Sequence, residues 1–232
     1  MINKVEMMRM HIESLFTFND DLKLMNINEP WDTTKLAPKF IMGRTIKGET
    51  LYYFRHDIPD DIVSKVSELC LKEPSAQNAN EKPRYLEQYL ECFQSSSYTE
   101  EICFYVPNNG EKIRDCILLD SKNLSTFTAV GFDWLKEEFP FSLPCAAFIH
   151  AGQAVSICRS VRISNKAHEA GIETLEAFRG NSYAHDVLFK WAQEVRQLGC
   201  EPLYSTLSDN FRSLRVAQKA NLVCFGVGFI VE

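Results

Sequence analysis

A six-residue turn at positions 179–184, with the sequence Arg-Gly-Asn-Ser-Tyr-Ala, carries the residue types best suited to chemistry. It precedes an amphipathic segment, and the start of a helix leaves backbone N–H groups without acceptors and adds partial positive charge. Small residues let a diphosphate approach this backbone, and an arginine adds a fixed cation. The turn therefore predicts a diphosphate site formed by Arg179, Gly180, Asn181, Ser182, Tyr183 and Ala184.

The alternative interpretation of this turn is an ordinary connection between a strand and a helix that contains one glycine. Two other nucleotide motifs are absent from the sequence, because it has neither Gly-x-Gly-x-x-Gly nor Gly-Lys followed by Ser or Thr. Cys158 and Ser160 lie near His150 and His168 in sequence, so a Cys/His nucleophile is conceivable. A core thiol with two surface or edge histidines is the favoured interpretation.

The carboxy-terminal elements that must position this turn follow from hydrophobic periodicity and from turn residues. The pattern predicts a hairpin, a third strand, a helix, a strand, a second helix and a closing strand. Their predicted bounds are 144–149, 154–163, 167–175, 181–198, 202–206, 210–220 and 222–231. This order predicts an α+β fold with a mixed, mainly antiparallel sheet flanked by helices.

The amino-terminal elements have weaker signals. The sequence predicts two strand pairs, two helices and one further strand, at 11–18 with 22–27, 40–44 with 51–54, 59–71, 85–93 and 102–106. Residues 118–138 are ambiguous, with helical spacing strongest over 132–139. We therefore expect a smaller α/β region over 1–98 in front of a domain over 99–232.

Composition limits the kind of protein this can be. The chain has 232 residues, of which 45% are hydrophobic, so it can form a substantial core. A net charge of −6 with no basic run argues against a nucleic-acid partner. Eight cysteines without a Cys-x-x-Cys pair are typical of buried thiols in a reducing compartment. We expect a soluble, cytoplasmic protein without a membrane partner.

The turn also resembles the coenzyme A signature of the GNAT superfamily of N-acetyltransferases. That signature is Arg/Gln-x-x-Gly-x-Gly/Ala at the mouth of the helix that follows the fourth core strand. Arg179, Ser182 and Ala184 fall on its three defined positions, with serine in place of the usual glycine. Asn210 matches a second mark, an asparagine that opens the helix after the fifth strand. A serine has a Cβ, so it fits poorly if this position requires a positive φ.

The resemblance extends over most of the chain. The stretches 38–45, 54–59 and 202–206 are similar to a bacterial branch of GNAT proteins with an extra amino-terminal region. It implies direct transfer of acetyl from acetyl-coenzyme A to an amine, without an acyl-enzyme. The residues it places beside the pantetheine arm are Ile172, Glu173, Thr174, Leu175, Asn210 and Ser213.

The attacking amine must first lose its proton, and free amines titrate at about 8 to 10.4, so a base or a water relay helps. Glu169 and Glu173 share one strand face by period-two alternation and are the base candidates. The alternative is that they are solvated or pair with an arginine such as Arg162. The tyrosine that protonates the leaving thiolate in many GNAT proteins corresponds to Ala217, so Tyr204, Ser213 or water would replace it.

The sequence therefore predicts an acetyl-coenzyme A-dependent N-acetyltransferase that acts on an amine of a small molecule or peptide. No metal is expected, because the five histidines show no recurring ligand spacing. A non-catalytic coenzyme A-binding sensor is the alternative, and a peptide-ligating or longer-acyl transferase is a third reading. The region 1–98 is expected to shape the acceptor site, and a homodimer is left open.

Overall fold

The computed structural model describes residues 3–29, 31–110, 112–128 and 130–232. Its helices are α1 (Lys4–Leu15), α2 (Asp60–Cys70), α3 (Leu86–Phe93), α4 (Leu124–Phe127), α5 (Leu135–Glu138), α6 (Tyr183–Gln197) and α7 (Phe211–Lys219). Its strands are β1 (Phe16–Phe18), β2 (Leu24–Ile27), β3 (Phe40–Thr45), β4 (Thr50–Phe54), β5 (Thr99–Tyr105), β6 (Ile117–Leu118), β7 (Cys145–His150), β8 (Gln153–Ile163), β9 (Ala167–Thr174), β10 (Glu201–Leu207) and β11 (Val223–Val231).

The chain forms two compact units. The first comprises Met1–Tyr105, Ser205–Leu214 and Val223–Glu232, and the second comprises Val106–Tyr204 and Arg215–Leu222. These units do not follow the expected boundary after residue 98, because β11 at the carboxy end pairs with β3 and β5. The expected role of residues 1–98 in shaping an acceptor site stays a prediction.

In the first unit, the strand order β4-β3-β11-β5 is antiparallel throughout. The helices α2 and α3 cover an aromatic core on this sheet, which includes Phe40, Phe54, Tyr89, Phe93 and Phe229. A separate hairpin of β1 and β2 precedes it.

The helix α1 corrects the first part of the strand predicted over 11–18, whereas its end, Phe16–Phe18, is the strand β1 that pairs with β2. The side chain of Asn3 accepts the N–H of Val5 at 3.0 Å and caps the helix start. Met7, Met8, Met10, His11, Ile12 and Ser14 are buried on the helix. The prediction failed because it began at position 11 and missed the helical spacing that starts further upstream.

Two glycines of the sheet let α1 approach closely. A Cβ on Gly43 would lie 2.5 Å from Met8 Sδ, and a Cβ on Gly226 would lie 2.4 Å from Met8 Cε. Neither glycine needs a special backbone conformation. They are required because only a bare Cα leaves room for the methionine of the helix.

In the second unit, the strand order is β10-β9-β8-β7-β6, with β10 parallel to β9 and the other pairs antiparallel. The helix α6 packs against β7, β8 and β9. The predicted hairpin of β7 and β8 is present, and its turn holds Ala151 and Gly152 at φ of 48° and 79°.

The predicted fold class is confirmed, since helices flank a mixed and mainly antiparallel sheet. Most predicted elements lie close to their expected bounds, and the ambiguous segment 118–138 contains the end of β6 and the short helices α4 and α5. Across the described ranges, no helix has the length and apolar character needed to cross a membrane.

Candidate functional site

The helix α6 is anchored by its apolar face, as predicted. Val187, Leu188 and Trp191 are fully buried on this face. At its carboxy end, Gly199 has a φ of 78° and donates its N–H to Arg196 O at 3.0 Å. The buried apolar face and the left-handed glycine at the carboxy end fix the axis of α6. They therefore also fix the direction in which its amino end points.

Five consecutive backbone N–H groups at positions 180–184 have no acceptor within the part of the chain that the structure describes. Intrahelical bonding begins with His185, whose N–H donates to Ser182 O at 3.1 Å. Before the row, the N–H of Arg179 donates to Glu176 O at 3.2 Å. Because the helix dipole adds positive potential at this end, the row can bind the oxygens of an anion.

The backbone of this loop takes two left-handed residues. Gly180 has a φ of 86°, and an added Cβ would meet no atom within 4 Å. Ser182 has a φ of 62° and makes no side-chain capping bond. Alternating backbone of this kind creates a concave row of N–H donors. The serine therefore occupies the conformation in which it fits poorly, and its hydroxyl makes no bond to the helix end.

Ser182→Gly is expected to raise the free energy of unfolding by about 0.5–1 kcal/mol, because glycine adopts positive φ without the Cβ clash. Urea unfolding would measure the gain. Ser182→Ala is the matched control, since it keeps the Cβ and removes only the hydroxyl. An equal gain in the alanine variant would show that backbone strain is not the cause.

Arg179 lies at the mouth of the loop, as predicted. Its Nε donates to Thr174 O at 3.3 Å, which ties the loop to the end of β9. Its Nη1 lies 3.6 Å from Glu176 Oε1, and 47% of the arginine side chain is exposed. A pair this exposed contributes little to stability, so the guanidinium is available to an incoming anion.

Arg114 is a second cation at this loop, and sequence reasoning missed it. Its Nη2 donates to Asn181 O at 2.6 Å, and its Nε donates to Asp186 Oδ2 at 2.7 Å. Asp186 lies buried in the first turn of α6. The arginine is 72 positions away from this carboxylate and outside any motif, so no signal in the sequence connects the two.

Two aromatic rings hold Arg114 in place. Phe148 and Tyr183 stack with ring centroids 4.2 Å apart. The guanidinium carbon of Arg114 lies 5.0 Å and 4.7 Å from their respective centroids. Its side chain remains 46% exposed, and its Nη1 has no acceptor among the described residues. The loop thus combines a row of N–H donors with two half-exposed guanidinium groups.

The edge of β9 beside β10 is only partly paired. The described register joins the two strands at 167–169, whereas β9 continues to Thr174 and β10 continues to Leu207. The backbone groups of β9 after Glu169 therefore have no partner along the described ladder with β10. This is the stretch that the resemblance places beside a pantetheine arm.

Alternation along β9 decides which backbone groups face that edge. The N–H of Leu175 donates to Val155 O at 2.9 Å, towards β8. The backbone N–H and C=O groups of Glu173 also point towards β8. Those of Ile172 and Thr174 point to the opposite edge of β9, on the side of β10. The backbone groups expected to contact a pantetheine arm are therefore those of Ile172 and Thr174. The N–H of Leu175 is excluded because it already donates to Val155 O of β8.

The two base candidates differ in exposure. Glu169 is 3% exposed, whereas the side chain of Glu173 is 49% exposed. Glu173 Oε1 lies 3.5 Å from Nη1 of Arg159, so Glu173 does pair with an arginine, with Arg159 in place of the suggested Arg162. Arg159 reaches it by crossing over Gly171, where a side chain would collide with Val161. Only Glu173 has a carboxylate that a solvent-borne amine can reach.

The remaining predicted residues occupy both units. Asn210 Oδ1 accepts the N–H of Ser213 at 3.2 Å, which confirms the predicted N-cap of α7. Ala217 is buried at 2% exposure, so this position offers no hydroxyl. Tyr204 is buried directly after the last residue of β10 that pairs with β9. Cofactor or acid roles for Asn210, Ser213 and Tyr204 stay predictions.

Cys158 lacks the environment of a nucleophile. It is fully buried, and burial raises its pKa well above the ordinary value. His168 Nδ1 forms its hydrogen bond with Ser160 Oγ at 2.8 Å instead, and Trp191 Nε1 donates to the same oxygen at 3.0 Å. His150 is exposed at the end of β7. The core interpretation therefore holds for Cys158 and for the exposed His150, whereas His168 is buried and is not the surface or edge histidine that was expected.

Comparison with known proteins gives matches among solved structures alone. No family model and no curated protein matches the chain. A GNAT-family acetyltransferase from Colwellia psychrerythraea has 13% identity and a TM-score of 0.49, over 82% of this chain and 81% of that one. A GCN5-related N-acetyltransferase-like protein from Streptococcus suis has 13% identity and a TM-score of 0.45, over 99% and 100%.

A GNAT-family acetyltransferase from Novosphingobium aromaticivorans is similar at 11% identity and a TM-score of 0.46. The match covers 59% of this chain and 66% of that chain, which is just under two thirds of its length. The chain is thus similar in structure to several GNAT-family acetyltransferases.

Proposed function

We propose that this chain is an acetyl-coenzyme A-dependent N-acetyltransferase that moves acetyl directly to an amine of a small molecule or peptide. The observation that carries the proposal is the anion-binding loop at 180–184, with its five N–H donors flanked by Arg179 and Arg114. A diphosphate has two charged groups and several acceptor oxygens, which such a row of donors and two cations complement.

The edge of β9 supports the same assignment. In the proposed complex, the pyrophosphate binds the loop and the pantetheine arm runs along the backbone of Ile172 and Thr174. An amide-rich arm can pair with strand backbone as an additional strand would. The thioester then lies beyond the point where β9 and β10 stop pairing, within reach of an acceptor amine.

Glu173 is the proposed base. Its carboxylate is half exposed on the face of β9, next to the proposed path of the pantetheine arm. It accepts a proton from the ammonium form of the acceptor, and the neutral amine then attacks the thioester carbonyl. The C–S bond breaks as the C–N bond forms, and the second proton of the amine nitrogen passes to the departing thiolate by way of Tyr204, Ser213 or water.

Two measurements test this function. Calorimetry with coenzyme A should show binding at one site per chain. Incubation with acetyl-coenzyme A and a panel of amines should give an acetylated amine detectable by mass spectrometry. Mass spectrometry is preferable to a thiol reagent, because Cys92, Cys200 and Cys224 are partly exposed. Absence of coenzyme A binding would contradict the proposal.

Glu173→Gln should lower the rate on the best amine by about 10²-fold or more, within the usual range for a general base. Only amine that is already neutral then reacts, so kcat/KM should climb with pH towards the pKa of the amine, about 8 to 10.4. Glu137→Gln, on an exposed glutamate of α5, is the control. An unchanged pH profile in Glu173→Gln would assign the step to water.

A non-catalytic coenzyme A-binding sensor is the second candidate. The buried Ala217 favours it, because this position supplies no phenol to the leaving thiolate. A sensor would bind coenzyme A at the same loop and yield no acetylated product with any amine. Binding and turnover measured on the same preparation therefore separate the two candidates.

A further inference from the structure

Folding brings a histidine, a carboxylate and a thiol together in the core of the first unit. His11 comes from α1, whereas Glu101 and Cys103 are two residues apart on β5 and so share one face of the strand. His11 Nε2 lies 2.8 Å from Glu101 Oε1. The three ligand atoms lie within 4.8 Å of one another, and no other group of this kind occurs among the described residues.

All three residues are buried. His11 and Cys103 are 0% exposed and Glu101 is 7% exposed. Space for the carboxylate is provided by Gly228, where a Cβ would lie 2.7 Å from both Glu101 Cγ and Glu101 Oε1. A carboxylate costs several kcal/mol to bury unless its charge is compensated, by an order-of-magnitude estimate. A hydrogen bond to His11 offsets part of that cost.

We propose that His11 Nε2, Glu101 Oε1 and Cys103 Sγ form a Zn²⁺ site. Nitrogen, oxygen and sulfur are the donors that zinc takes in proteins, at about 2.0–2.3 Å from the metal. Three ligand atoms within 4.8 Å of one another can surround one ion if the contact between His11 and Glu101 widens by about 0.5 Å. The sequence shows no ligand spacing here, because the histidine is separated from the other two by 90 residues or more.

The protons and charges balance at this site. Zinc binds a thiolate, so Cys103 releases its thiol proton to solvent on binding. Zinc also takes the lone pair on Nε2 of His11, so any proton there moves to Nδ1 or leaves. A divalent cation with one carboxylate and one thiolate is neutral as a whole. The buried charge of Glu101 is thereby compensated at the site.

A cavity lies next to the proposed zinc ligand Glu101. It has a volume of about 180 Å³, and Glu101 is one of its lining residues together with Arg44, Glu100 and Ser208. The guanidinium of Arg44 pairs with Glu73 at 3.5 Å and donates to the carbonyls of Glu81 and Lys82, so its charge is largely compensated. The cavity gives the ion a route to Glu101 and leaves room for a water as the fourth ligand.

The test uses the full chain, stripped of metal by a chelator and then titrated with ZnCl₂ or CoCl₂. We expect about one zinc per chain, a higher melting temperature with zinc, and an intense near-ultraviolet charge-transfer band with Co²⁺ that marks a thiolate ligand. His11→Gln and Cys103→Ser should each weaken zinc binding by more than about 100-fold, beyond the loss typical of an outer-shell partner.

Cys158→Ser is the matched control, because it removes another fully buried thiol on a strand and should retain both the zinc and the cobalt band. Equal zinc binding by Cys103→Ser and the wild type would overturn the proposal. If the Cys103 variant fails to fold, the cobalt spectrum of the wild type decides, and absence of the thiolate band overturns the site. Neither readout depends on acetyl transfer.

Discussion

The double variant Arg179→Ala/Ser182→Glu is expected to abolish coenzyme A binding. The first change removes the half-exposed guanidinium at the mouth of the loop, and the second places a carboxylate where the backbone donors converge. A charge-assisted hydrogen bond contributes about 1.5–3 kcal/mol, and repulsion of a phosphate adds to its loss. At about 1.4 kcal/mol per tenfold, the affinity should fall by at least 100-fold.

Calorimetry with coenzyme A measures this loss, and far-ultraviolet circular dichroism shows that the variant still folds. Arg9→Ala/Ser64→Glu is the matched control, because it makes the same change in net charge at exposed positions on α1 and α2. This control should bind like the wild type. Equal affinity of the wild type and Arg179→Ala/Ser182→Glu would place the pyrophosphate elsewhere.

Arg114→Ala is expected to weaken both the fold and the binding of coenzyme A. It removes the partner of the buried Asp186, and a buried carboxylate that loses its hydrogen-bonded partner costs about 1–3 kcal/mol. The bond to Asn181 O and the contact with the stacked rings are lost as well. The loop then loses a cation and a tether, so affinity for coenzyme A should fall about tenfold or more.

A double-mutant cycle separates the two effects. Asp186→Asn in the background of Arg114→Ala removes the uncompensated carboxylate and should restore much of the stability. It should leave the affinity for coenzyme A low, because the cation is still absent. Arg114→Lys keeps the charge and loses the planar contacts, so it should retain part of the affinity. Recovery of affinity together with stability in the double variant would show that Arg114 acts only on the fold.

Local patterns were sufficient for the elements around the candidate site. The helix α6 was predictable because one apolar stripe and Gly199 specify its face and its end, and both depend on residues close in sequence. The N-cap at Asn210 followed from the same kind of short-range hydrogen bond. The loop at 179–184 joins a predictable strand to a predictable helix, so its position in the chain could also be predicted from the sequence.

Long-range packing decided the features that were missed or misassigned. Residues 11–15, predicted as part of a strand, belong to a helix because Met8 packs onto Gly43 and Gly226, which are distant in sequence. Glu173 pairs with Arg159 and not with Arg162, since the pairing register of β8 and β9 selects the partner. No periodicity within one segment contains this information.

The features of the candidate site also depend partly on local sequence and partly on long-range packing. The chain's local chemistry was enough to indicate an anion-binding turn with Arg179, small residues and a following helix, because each of these signals spans only a few residues. The second cation at Arg114 and the cluster of His11, Glu101 and Cys103 exist only in the folded chain. Their side chains meet across 72 and 90 or more positions, so only the burial of distant segments against one another brings them into contact.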